Sequence, residues 1–101
     1  MALPKENQSL AVSEATRRRY FQNLVKQLAD LREAMEKSDF DSVREICHRM
    51  RGSASLFGLK DLGAAGREME EAAIGRKLEE MVSGFQVIEV IVNRNAYPAE
   101  V

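Results

Sequence analysis

The sequence predicts an all-α protein, an antiparallel up-down four-helix bundle, and three observations support this fold class. Apolar residues recur at alternating intervals of three and four, the spacing of one helix face. No stretch alternates with the period of two typical of strands, and aromatic residues make up only 6% of the chain. The chain of 101 residues suits one domain, and short connections between the apolar stretches favour antiparallel neighbours.

The bundle is expected over residues 13–95. Residues 1–12 are predicted to be a flexible arm or a short extra helix over one end, and residues 96–101 a frayed tail. Ser13 is the predicted N-cap of the first helix, because its hydroxyl can accept a backbone hydrogen bond and an acidic residue follows it. The apolar face of this helix consists of Phe21, Leu24, Leu28, Leu31 and Met35.

The second helix is expected from about Phe40 to Phe57, after a cap at Ser38 or Asp39. Gly58 should end it, because glycine readily adopts the left-handed conformation that follows many helices. Its apolar face consists of Phe40, Val43, Cys47, Met50, Ala54 and Phe57.

The third helix is expected over about Lys60 to Ala73. Residues 63–66 are all glycine or alanine, so its backbone can approach a neighbour closely. Its inward positions are Leu62, Ala65, Met69 and Ala72. Gly75 is the predicted breaker before a fourth helix over about Lys77 to Asn93. The broad apolar stripe of the fourth helix is Leu78, Met81, Val82, Phe85, Ile88, Ile91 and Val92.

Composition excludes several classes of protein. A net charge of −1 argues against a general nucleic-acid binder. No apolar run approaches the roughly 20 residues that span a bilayer, and the N-terminus lacks a secretory signal, so we expect a cytoplasmic protein without a membrane partner. Cys47, the only cysteine, cannot form an internal disulfide and is predicted to be an inert core residue. Together with one histidine it makes a poor metal site, and the familiar enzyme motifs are absent.

His48 is the only histidine, and helical geometry places it about 130° from the apolar face of its helix. It therefore should point outward. Gly52 lies one turn later, where a side chain would crowd the ring. Glycine inside a helix costs about 1 kcal/mol relative to alanine, which is understandable if the ring must stay open to something large. The same outer face carries Asp41, Arg44, Glu45, Arg51 and Ser55.

The surroundings of His48 are the basic part of the central chain. Residues 41–60 carry a net charge of +2, whereas residues 61–80 have six acids against three bases. Positive neighbours disfavour a charged ring, and a neutral ring nitrogen is a nucleophile. Arginine matches phosphate oxygens in charge and shape. This combination predicts a histidine that accepts a phosphoryl group.

The sequence from residue 48 onward resembles the signature of histidine-containing phosphotransfer (HPt) domains. The stretch HRMRGSA, residues 48–54, is similar to the family pattern His-x-x-Lys-Gly-Ser-Ala, and Gly58 and Leu62 match a later glycine and leucine. Met69 and Glu70 lie where the family often has Leu-Glu. The likeness covers about residues 20–75.

The resemblance implies a four-helix bundle in which His48 is phosphorylated, Arg51 replaces the usual lysine and Gly52 opens the site. It implies a phosphocarrier, not an autonomous enzyme. The phosphoryl group would come from a receiver aspartyl phosphate or from a sensor or hybrid histidine kinase, and would go to a response-regulator receiver aspartate. No cofactor is implied for this chain, because the Mg²⁺ belongs to the receiver. We expect a monomer.

Supporting roles are assigned from the outer face of the second helix. Arg44 and Ser55 are candidates for supporting the phosphoryl group, although Ser55 could equally bond only to a backbone carbonyl. The candidate partner-binding residues are Arg44, Glu45, Arg49, Gly52, Leu56 and Lys60. Alternatively, Gly52 could mark a close helix crossing, Arg49 could be a solvated surface charge, and Lys60 could complement a helix dipole.

Two other functions stay open at this point. One is a docking module that binds a kinase or receiver without transferring phosphate. The other is a structural bundle, with self-association through the stripe of the last helix. The initial methionine and the predicted frayed end favour a complete small protein over a piece of a hybrid kinase.

Overall fold

A computed structural model describes residues 13–96, and within this range it contains four α-helices and no strand. The helices are α1 Glu14–Glu36, α2 Phe40–Leu56, α3 Lys60–Ile74 and α4 Leu78–Ala96. Three-residue connections join them, and the packed neighbours are α1 with α2, α2 with α3, α3 with α4, and α4 with α1. This closed ring confirms the predicted fold class. The predicted arm, residues 1–12, and residues 97–101 of the predicted tail lie outside the described range.

Side chains cap the first two helices. The Ser13 hydroxyl accepts a hydrogen bond from the Thr16 backbone N–H at 3.1 Å, which confirms Ser13 as the N-cap of α1. Of the two candidates for α2, Asp39 is the cap. Its carboxylate accepts hydrogen bonds from the Ser42 backbone N–H at 3.1 Å and from the Ser42 hydroxyl at 2.7 Å. Ser38 instead forms the turn before it, with a φ of 55°.

The Asp39 cap predicts a pH-dependent loss of stability. The hydrogen bonds from the Ser42 hydroxyl and backbone lower the pKa of the Asp39 carboxyl. The stabilisation is therefore complete above the ordinary aspartate pKa and is lost as the pH falls through the lowered, folded-state pKa. We expect Asp39→Ala to lower the urea midpoint at pH 7, and the difference from wild type to shrink below about pH 4. A difference that stays constant down to pH 2 would contradict the role of the charged carboxylate.

The ends of α2 and α3 differ in how the chain turns. Gly58 follows α2 with a φ of 71°, as predicted for a glycine that ends a helix. After α3, Gly75 is the C-cap, as predicted for the residue that ends this helix, and it has a φ of −84°. The left-handed residue is Arg76, with a φ of 55°. Its guanidinium lies 5.0 Å from the centre of the Phe40 ring, within the range of a cation–π interaction.

The core lies along the bundle axis and draws on all four helices. The predicted apolar faces of α1, α2 and α3 point inward, with Met35, Phe40 and Phe57 only partly buried at the edges. Of the predicted apolar stripe of α4, all residues are buried except Leu78 and Val82, which are exposed. They lie on the flank of α4, beyond the arc that its two packed neighbours cover. Among the described residues, no helix combines the length and the apolarity needed to cross a lipid bilayer.

The slim first half of α3 allows it to pack closely against α2. A Cβ added at Gly66 would lie 3.4 Å from Arg51 Cβ and 3.5 Å from the Cys47 carbonyl oxygen. The backbones of the two helices are therefore in near contact one turn before Glu70. This close approach brings a side chain of α3 to the outer face of α2.

Candidate functional site at His48

His48 lies on the outer face of α2, as the helical spacing predicts, and its side chain is 62% exposed. Its Nδ1 is 3.0 Å from Oε2 of Glu70 on α3. Because a carboxylate can only accept, we assign the ring proton to Nδ1. Within residues 13–96, no group forms a hydrogen bond with Nε2. With this tautomer, the lone pair of the neutral ring is on Nε2, the nitrogen that Glu70 does not contact.

Glu70 is the one charged residue among the buried side chains of the described chain. Its second oxygen, Oε1, lies 3.1 Å from Nε of Arg51. The atom is shielded from solvent and lacks a well-aligned hydrogen bond, so the contact with Arg51 is an ion pair. One carboxylate on α3 thus orients both the imidazole and the guanidinium of α2.

The charge in contact with the histidine differs from the sequence-based expectation. The basic stretch around His48 suggested a guanidinium neighbour, but the charged group that contacts the ring is the Glu70 carboxylate. Glu70 was not among the predicted site residues. The signal that could have found it was the Met69-Glu70 match to the family pattern, read together with a lone carboxylate on a largely apolar helix face.

Gly52 faces open space. A Cβ added there would find no atom within 4 Å. This excludes the alternative of a close helix crossing at Gly52. The predicted crowding of the imidazole by a side chain at position 52 is also not seen for alanine, because the added Cβ would not contact His48. The open space at Gly52 is therefore not relief of a clash within the chain.

The family profile of the Hpt domain matches residues 15–94. The chain belongs to the Hpt domain family. Hpt domains are phosphocarrier modules of histidine–aspartate phosphorelays and interact there with kinases and receiver domains. No curated protein and no solved structure gives a significant match to the chain.

Several other predicted site residues of the Hpt domain surround His48 on α2. Arg44 is exposed and forms no ion pair within the described range. Arg49 reaches Glu45 at 4.0 Å, a solvent-exposed pair that contributes little to stability. The Ser55 hydroxyl donates to the Gly52 carbonyl oxygen at 3.2 Å, so its hydrogen is already used.

Two more predicted residues lie near the C-terminal end of α2. Leu56 is 77% exposed, and a single exposed apolar residue is ordinary on a protein surface. Lys60 is the first residue of α3. It follows the C-cap of α2, Phe57, by three residues, so the alternative that its charge complements the dipole at the end of α2 stays open.

Cys47 lies in the core immediately behind the histidine. Burial and the nearby negative charge of Glu70 raise the pKa of its thiol to about 12. The thiol therefore stays protonated at neutral pH and is a poor nucleophile. This agrees with its prediction as an inert apolar residue.

Proposed function

We propose that this Hpt domain carries a phosphoryl group on Nε2 of His48. It accepts the group from a receiver aspartyl phosphate or a histidine kinase and passes it to a response-regulator receiver aspartate. The observation that supports this most is the hydrogen bond between Nδ1 of an exposed imidazole and the buried Glu70 carboxylate. It leaves Nε2 as the nitrogen with an available lone pair.

The chemical step then needs no proton transfer. The Nε2 lone pair forms the N–P bond while the bond from phosphorus to the aspartyl oxygen breaks, and the aspartate leaves as a carboxylate. The ring keeps its proton on Nδ1 and becomes positively charged. Glu70 faces this charge at 3.0 Å, so the carboxylate stabilises the phosphorylated ring electrostatically. The reverse sequence delivers the group to the next aspartate.

Arg51 is proposed to steady the transferred group. Its Nε is held by Glu70 at 3.1 Å, which leaves the two terminal guanidinium nitrogens for the phosphoryl oxygens. Arg44, one turn before His48, adds a second positive charge on the same face. We leave Ser55 out of the proposed phosphoryl contacts, because its hydroxyl hydrogen is bound to the Gly52 carbonyl.

A receiver domain would dock over the gap at Gly52. Leu56 supplies an exposed apolar contact on one side. The polar rim would consist of Arg44, Glu45, Arg49 and Lys60. We assign the Mg²⁺ to the receiver and no cofactor to this chain, which would act as a monomer in the cytoplasm without autonomous catalysis. Positioning and charge neutralisation carry most of such a transfer.

The test is a phosphotransfer profile against the receiver domains of the source organism. Each receiver is loaded with labelled phosphate in the presence of Mg²⁺ and mixed with the chain. We expect label to move to the chain from at least one receiver, as an adduct that is labile to acid and stable to base. If no receiver or kinase of the organism labels the wild-type chain, the proposal fails.

Substitution of Gly52 is expected to change the stability of the fold and the rate of phosphotransfer in opposite directions. Since a Cβ fits without contact, Gly52→Ala should raise the free energy of unfolding by about 1 kcal/mol while it slows transfer from a bound receiver. Gly63→Ala is the matched control, because its Cβ would meet its nearest atoms at an ordinary 4.0 Å. It should stabilise similarly and leave transfer unchanged. Urea unfolding and single-turnover labelling measure the two effects, and equal transfer rates for both variants would argue against a docking gap at Gly52.

A further inference from the structure

A second stripe on α4 is not used by the core or by the His48 site. Its residues follow the 3–4 spacing of a helix face, and are Glu80, Ser83, Val87, Val90 and Arg94. Val87 and Val90 are 50% and 59% exposed. β-Branched residues are not favoured on exposed helix surfaces by local propensity. Their place in the middle of this stripe therefore indicates a surface made for contact.

A matching stripe runs along α3 on the other side of a groove. Its residues are Asp61, Ala64, Glu68 and Glu71, again at 3–4 spacing. The small Ala64 side chain leaves space between the two stripes. The part of the groove between Asp61 and Glu68 on α3 and Val87, Val90 and Arg94 on α4 has a volume of ≈ 650 Å³, and it continues past Glu68 into a part of ≈ 400 Å³ beside Glu71 and Glu80. From residue 61 to residue 71 the wall extends over about 15 Å, or about three helical turns.

The two walls differ in chemistry. The α4 wall is apolar in its middle, whereas the α3 wall is acidic. Within residues 13–96, Asp61 and Glu68 form no ion pair, and Glu71 pairs only with the exposed Arg67 at 3.4 Å. The basic residues that line the groove, Lys77 and Arg94, lie towards opposite ends of it. A ligand along the groove would therefore meet apolar side chains on one flank and carboxylates on the other.

This groove lies on a different face of the bundle from the histidine. Glu70 turns towards α2, where it holds His48, whereas Glu68 lines the groove towards α4. The body of α3 separates the two surfaces. A molecule in the groove would leave Nε2 of His48 accessible.

We propose that the α3–α4 groove is a docking site for an amphipathic helix with a basic flank. Two walls with 3–4 spacing accept a third helix by the packing used in bundles and coiled coils. Apolar residues of the partner would cover Val87 and Val90, and its lysines or arginines would face Asp61 and Glu68. A second copy of this chain fits less well, because pairing through this face would bring two acidic stripes together.

The probe is a synthetic peptide helix of about four turns, ~15 residues, with leucines at 3–4 spacing and lysines on the flanks. A second peptide carries glutamate in place of every lysine. We expect the lysine peptide to bind, more weakly at higher salt, and to shift the amide resonances of α3 and α4 around Ala64, Val87 and Val90. The glutamate peptide should bind at least about tenfold more weakly, ~1.4 kcal/mol.

Matched variants locate the contact. Val87→Lys and Glu68→Lys should each weaken the lysine peptide about tenfold while circular dichroism shows an unchanged fold. Val25→Lys is the control, since Val25 is 49% exposed on α1 and outside the groove. Receiver-dependent labelling of His48 should be unchanged in Val87→Lys, which separates this inference from the phosphocarrier role.

The proposal is overturned if the lysine peptide does not bind, if the glutamate peptide binds equally, or if the shifts centre on His48. It is also overturned if sedimentation shows that the free chain dimerises and that Val87→Lys abolishes the dimer. In that case the occupant of the groove is a second copy of the chain.

Discussion

Replacing His48 with glutamine is expected to abolish phosphorylation of the chain, to below detection in the receiver-loaded assay. Glutamine has similar polarity and reach, and its amide N–H can still donate to the Glu70 carboxylate. The fold and the docking surface should therefore persist. An amide nitrogen has no available lone pair, however, so no N–P bond can form. Autoradiography after acid and base treatment measures the loss, and label on His48→Gln at the wild-type level would place the phosphoryl group on another residue.

The same variant distinguishes the alternative functions. Calorimetric titration with the receiver should give the wild-type affinity for His48→Gln within a few-fold, because the substitution keeps the fold and the rest of the proposed docking surface. If the wild-type chain binds a receiver and is never labelled, the chain is a docking module. If it neither binds nor is labelled, only a structural bundle remains.

The helices could be predicted from sequence because each depends on local patterns. The 3–4 spacing, the Ser13 cap and Gly58 are short-range features, and the structure confirms them. The turn at Arg76 could not be predicted in this way. A non-glycine residue in the left-handed conformation depends on how the loop closes and on what it contacts, here the ring of Phe40 on another helix.

The direction of His48 was predictable from helical spacing, whereas its contact with Glu70 was not predictable from that spacing. A helix projection shows which face of its own helix a residue lies on. It does not show which residues of a neighbouring helix lie next to it, and Glu70 on α3 is 22 positions after His48 in the sequence. The close packing of α2 and α3 at Gly66 creates that contact. For the same reason, the projection of α4 could not show which part of its wide apolar stripe its neighbours cover, and Leu78 and Val82 in that stripe are exposed.

Removing the carboxylate of Glu70 is expected to have the second largest effect. In Glu70→Ala the imidazole loses its hydrogen-bond acceptor, so the proton can move to Nε2 and block the attacking lone pair. The positive charge of the phosphorylated ring also loses its counter-ion. A hydrogen bond to a charged group contributes about 1.5–3 kcal/mol, so we expect single-turnover transfer to His48 to slow by about 10- to 100-fold.

Glu70→Gln separates the contribution of the hydrogen bond to Nδ1 from that of the negative charge. The glutamine carbonyl oxygen can still accept from Nδ1, but the negative charge is gone, so its transfer rate should lie between those of wild type and Glu70→Ala. Nitrogen NMR of the ring adds a readout that general destabilisation would not change. It should show the neutral ring protonated at Nδ1 in wild type, and a mixture of both protonated forms in Glu70→Ala.

A matched variant on the same helix controls for the loss of a surface carboxylate. Glu71 neighbours Glu70 in sequence, but it is exposed and pairs with Arg67 on its own helix. Glu71→Ala should therefore leave both the transfer rate and the ring tautomer unchanged. If Glu70→Ala transfers as fast as Glu71→Ala, or if the wild-type ring carries its proton on Nε2, the carboxylate does not prepare the nucleophile. The receiver domain would then have to orient the His48 ring, in addition to its proposed role of supplying the Mg²⁺.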